Sequence, residues 1–70
     1  MSKSIIVAKD DLKIYRLSNG ITREELAKAA ECTPEYIGMI ENGDCGCGPK
    51  VAQAIVTHLN KKFQNMFEIR

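Results

Sequence analysis

Two groups of side chains in this 70-residue chain have types and spacings that could do chemistry. Cys45-Gly46-Cys47, with His58 as the only histidine, offers thiols and soft metal ligands. One Cys-x-Cys and one histidine are too few well-spaced ligands for a zinc site, so no metal is expected and a mobile loop of reduced thiols is the simpler reading. Arg23, Lys28 and Lys50 form a small basic set suited to phosphate. The chain has no nucleophile–base constellation, phosphate-cradling glycine motif or carboxylate pair with an evident cleft, which argues against an enzyme and leaves no cofactor to expect.

The elements that must position these groups are short helices. Thr22 is an N-cap whose capping box Glu25 would complete, and Leu26, Ala27 and Ala30 share a face. Thr33 caps a second helix with Pro34 at its first position, Ile37 and Ile40 at core spacing and Asn42-Gly43 as a left-handed stop. About three residues, Glu31 to Thr33, join the two, with Cys32 plugging the corner, which suits helix-turn-helix geometry. A preceding helix is expected at about 9 to 18, with Leu12, Tyr15 and Arg16 inward and Asn19-Gly20 as its stop. After the glycine-rich loop at 44–49, a fourth helix runs from about Pro49 to Leu59 with Val51, Ala52, Ile55 and Leu59 on one face.

The size and 44% hydrophobic content fit one domain, residues 1–70, with an arm at 1–8 and a tail at 60–70. No apolar run approaches the ~20 residues that span a bilayer, and the N-terminus lacks the pattern of a secretory signal. Together with an odd three cysteines, this predicts a cytoplasmic protein without membrane contact. Ten Lys and Arg against nine Asp and Glu give a net charge of +1, so distribution rather than total charge would have to attract a polyanion. Ile5-Ile6-Val7 and Phe67-Glu68-Ile69 read as short strands that could pair within one chain or across a dimer. Phe63, Met66 and Phe67 would complete the core or form a dimer seam. His58, late in its helix, suits the C-terminal dipole and has no evident acid–base partner.

From Thr22 to Gly43 the chain resembles the Cro and phage-repressor type of helix-turn-helix, whose pattern is Thr-Gln-x-x-Leu-Ala, turn, Ser-x-x-x-Ile-x-x-Ile-Glu-Asn-Gly. Thr22, Leu26, Ala27, Thr33, Ile37, Ile40, Glu41, Asn42 and Gly43 match it, and the likeness extends over roughly residues 9 to 67. It implies an all-α, lambda-repressor-like bundle of four to five helices, with short terminal strands as an addition, and a homodimer on double-stranded operator DNA that regulates transcription. Arg16 and Glu41 match positions that form a structural ion pair in that family. Glu31 stands where the family prefers glycine, so a positive φ there would store about 1 kcal/mol.

By the same resemblance, the second helix of the motif reads bases. Its side chains outside the core are Pro34, Glu35, Tyr36, Gly38, Met39 and Asn42. Glu35 can accept from cytosine N4, Met39 can touch a thymine methyl, and Tyr36 and Asn42 can donate to bases or phosphate. Arg23, where the family carries glutamine, would join Lys28, Asn42 and Lys50 on phosphates, the alternative being a solvated surface arginine. The reading helix has no Lys or Arg. That departure keeps a second reading open, in which Pro34, Tyr36 and Met39 bind another protein, as in an antirepressor or regulatory partner.

Overall fold

A computed structural model describes residues 4–70, and the first three residues of the expected arm lie outside the described residues. The chain runs β1 (Ile6–Ala8), α1 (Asp10–Ser18), α2 (Arg23–Ala30), α3 (Pro34–Asn42), α4 (Pro49–Leu59), α5 (Phe63–Met66) and β2 (Phe67–Ile69). It is a predominantly helical bundle closed at its ends by a two-stranded ribbon.

Local chemistry sets the helix boundaries. Thr22 Oγ1 accepts from the Glu25 N–H at 3.0 Å and Thr33 Oγ1 from the Tyr36 N–H at 3.2 Å, so each motif helix begins with an orphan donor satisfied. Only half of the expected capping box forms, because the Glu25 carboxylate reaches across to His58 Nε2 at 2.7 Å instead. That contact corrects the reading of His58 as partnerless: it ties α2 to the last turn of α4. Glu31 closes α2 at φ 57°, in the left-handed conformation that favours the glycine of the family pattern, and the Cys32 N–H returns to the Ala27 carbonyl at 2.9 Å.

The core is built from one stripe of each helix. Leu12, Leu26, Ala27, Ile37, Ile40, Ala52, Ile55, Val56 and Leu59 are buried, joined by Met66 and Phe67 from the tail. Phe63 stacks against Phe67 with ring centroids 5.6 Å apart. Met66 and Phe67 thus complete the core, and α2 packs against both α3 and α4.

The two strands pair antiparallel within the chain, in the register Ile6↔Ile69, Val7↔Glu68 and Ala8↔Phe67. A further bridge joins Ile6 to Cys47, whose N–H donates to the Ile6 carbonyl at 3.0 Å. The Cys45-Gly46-Cys47 segment is therefore strapped to β1, which corrects the expectation of a loose loop. Gly46 allows the approach, since a Cβ there would lie 2.7 Å from the Ile6 carbonyl oxygen.

Candidate nucleic-acid interface

At 3.6 residues per turn, Glu35, Met39 and Asn42 fall on one strip of α3 while Ile37 and Ile40 fall opposite. The burial follows that geometry, with the first three exposed and both isoleucines at 0% exposure. Pro34 and Tyr36 flank the strip and are half-buried. The Tyr36 ring packs on the core and its hydroxyl makes a long 3.4 Å contact to the Gly46 carbonyl. Burial, with smaller contributions from Cys45, Cys47 and Cys32, holds its phenol above the ordinary range, so it remains a donor.

Beside the strip lies a chain of charges. The Glu41 side chain is fully buried and its carboxylate accepts from Arg16 Nε at 2.5 Å and Arg16 Nη2 at 3.0 Å, the pair that the resemblance implied. Arg16 Nη1 also donates to the Ile21 carbonyl at 2.9 Å, locking the turn between α1 and α2. The same carboxylate accepts from Arg23 Nε at 3.2 Å. Two guanidiniums share one carboxylate, so the network itself carries one positive charge in excess, beside the Glu24 and Glu35 carboxylates that line the same cleft.

Gly38 gives Arg23 its place. A Cβ built on Gly38 would lie 3.0 Å from Arg23 Nη1 and 3.2 Å from its Cζ, so the guanidinium rests on bare helix backbone. Gly38 is consequently buried rather than open to a groove, and Arg23 takes the surface position that its side chain would have held. An open cleft lined by Arg16, Ile21, Thr22, Arg23, Pro34 and Glu35 borders this site.

Lys28 on α2 and Lys50 in the first turn of α4 are exposed and make no ion pair among the described residues. The geometry thus brings Arg23, Glu35, Gly38, Met39 and Asn42 to one face of α3, turns Tyr36 partly toward the core, and leaves the two lysines on other elements. No group of three or more His, Cys, Asp or Glu side chains able to hold a metal occurs among the described residues. Burial, then the neighbouring Cys45 and Cys32, pushes the Cys47 thiol up to about 11. The Cys32 thiol is also raised by burial.

Residues 12–64, well over half of the chain, match the model of the family described as Helix-turn-helix, HTH_3. The chain belongs to the helix-turn-helix family. It is a DNA-binding helix-turn-helix domain in general type, with α2 and α3 as the motif, from a regulatory family that is not normally enzymatic. Comparison with curated proteins found no match. No helix among the described residues is long and apolar enough to cross a membrane.

Two features of the helix-turn-helix surface escaped the sequence reading: the seat that Gly38 makes for Arg23, and the Glu25–His58 contact. The first had a signal, because a glycine inside a helix sacrifices about 1 kcal/mol relative to alanine and so marks a close approach. The second had none, since its partners lie 33 residues apart.

Proposed function

We propose that the protein is a small cytoplasmic transcriptional regulator, repressor-like and of the kind carried by phages and mobile elements, that binds operator DNA as a homodimer with α3 in the major groove. The observation that carries this reading is the exposed strip Glu35, Met39 and Asn42 standing beside the excess positive charge of the Arg16–Glu41–Arg23 network. Lys28, Asn42 and Lys50 position the domain on phosphates, while Glu35 and Met39, on the exposed strip, sample base edges. The half-sites lie about one helical turn, ~34 Å, apart, and occupancy blocks polymerase.

The test is selection of bound sequences from random duplex DNA, followed by affinity measurement across a salt series. A two-fold symmetric site is expected, with affinity falling steeply as salt rises and the slope lessened by about one for Lys28→Ala or Lys50→Ala. The absence of basic residues from α3, together with Met39 at 45% exposure, favours one rival: the same face binding another protein. No enriched site at any salt, with capture of a partner whose binding is insensitive to salt, would establish the rival and refute the operator reading.

A further inference from the structure

Helix α3 carries no cation of its own, yet the structure supplies one from α2. The Arg23 guanidinium lies on Gly38, with Nη1 3.0 Å and Cζ 3.2 Å from where a Cβ would stand. Its Nε is held by Glu41 at 3.2 Å. Nη1 and Nη2 make no hydrogen bond to any described residue, so the two ends of the fork keep their donors. On the 3.6-residue helix, Gly38 sits beside Glu35 and Asn42, at the margin of the exposed strip.

Building on the operator-binding reading, we propose that Arg23 reads a guanine from the flank of α3, as the base-contacting cation that α3 itself lacks. Guanine presents O6 and N7 as two acceptors in the major groove, and the paired Nη groups of an arginine match them in a bidentate contact. Two features favour a base over a phosphate. The side chain folds back onto the helix that enters the groove instead of extending away from it. Its Nε is already anchored, so little side-chain freedom remains to be lost on binding. Glu35, one turn earlier and lining the same cleft, is an acceptor of the kind that the N4 amine of the paired cytosine requires.

The deciding experiment repeats the random-duplex selection with wild type, Gly38→Ala and Arg23→Lys, each first shown by thermal melting to be folded, and adds a salt series on the selected site. Gly38→Ala keeps the arginine and displaces only the far end of a flexible side chain, while Arg23→Lys keeps the charge and loses the fork. Both variants are expected to lose about tenfold of the preference for guanine at one position in each half-site, with the other positions and the salt slope unchanged. A site preserved at every position in both variants, or a uniform loss of affinity with a shallower salt slope, overturns the inference and leaves operator binding intact. A wild type that enriches no site overturns operator binding itself and this inference with it.

Discussion

Replacing Glu41 with glutamine preserves the shape of a fully buried side chain and deletes its charge. In the native domain that carboxylate accepts from three guanidinium nitrogens, two of Arg16 and one of Arg23. In Glu41→Gln the amide nitrogen becomes a donor facing donors, and Arg16, whose side chain is only 6% exposed, is left as a buried cation without a counter-charge. Breaking a buried pair from one side costs about 3–5 kcal/mol. A domain of this size holds about 4–10 kcal/mol in total at ~0.05–0.15 kcal/mol per residue, so the substitution removes a third of the stability or more. At ~4–8 °C per kcal/mol, Tm should fall by about 12–40 °C. Adding Arg16→Met takes away the stranded cation, so the double variant should be more stable than Glu41→Gln alone, although the Ile21 carbonyl loses a donor. Thermal and urea unfolding of the wild type, both singles and the double closes the cycle. A fall in Tm of less than about 4 °C for Glu41→Gln, or a double variant that loses the sum of the singles, would refute the argument.

Gly46→Ala forces a Cβ to within 2.7 Å of the Ile6 carbonyl and should cost about 1–3 kcal/mol in urea unfolding, whereas Gly48→Ser, where open space surrounds the Cβ position, should be neutral or slightly stabilising. Glu31→Gly, at φ 57°, should raise stability by about 0.5–1 kcal/mol, the relief of left-handed strain being partly offset by the freer unfolded chain; a lower Tm contradicts that assignment. Cys47, raised from 9.0 to about 11, favours the folded state while protonated, so its contribution is complete below pH 9 and disappears as pH rises through 11. At pH 8 its thiolate fraction is about 0.1%, and alkylation followed by mass spectrometry should label Cys47 more slowly in the folded protein than in urea.

Much of the motif could be read from residue types because its signals are local. Thr22, Thr33, Pro34 and Gly43 act within one turn of where they stand, and the observed boundaries of α2 and α3 follow them. The stripe Ala52, Ile55 and Leu59 is periodic and is buried as expected, with Val56 joining it and Val51 only partly covered. What sequence alone did not yield depends on distant partners. Glu25 has the right type for a capping box, but His58 competes for its carboxylate from another helix. The loop around Gly46 looks unconstrained until β1 is laid beside it. Gly38 and Arg23 are each visible as types, but their contact requires the crossing of α2 and α3.

The terminal ribbon also orders events in time. Ile6 and Ile69 face each other across 62 residues of intervening chain, a closure that a ribosome cannot offer until the last strand has emerged. The α2–turn–α3 unit spans only Arg23 to Asn42, and its internal contacts close far shorter loops. Phe67, fully buried and placed at the start of β2, arrives last, as the plug that converts a loose helical assembly into a closed core. Closure of the core therefore waits on the ribbon, and a chain arrested a few residues short would lack the side chain that seals it.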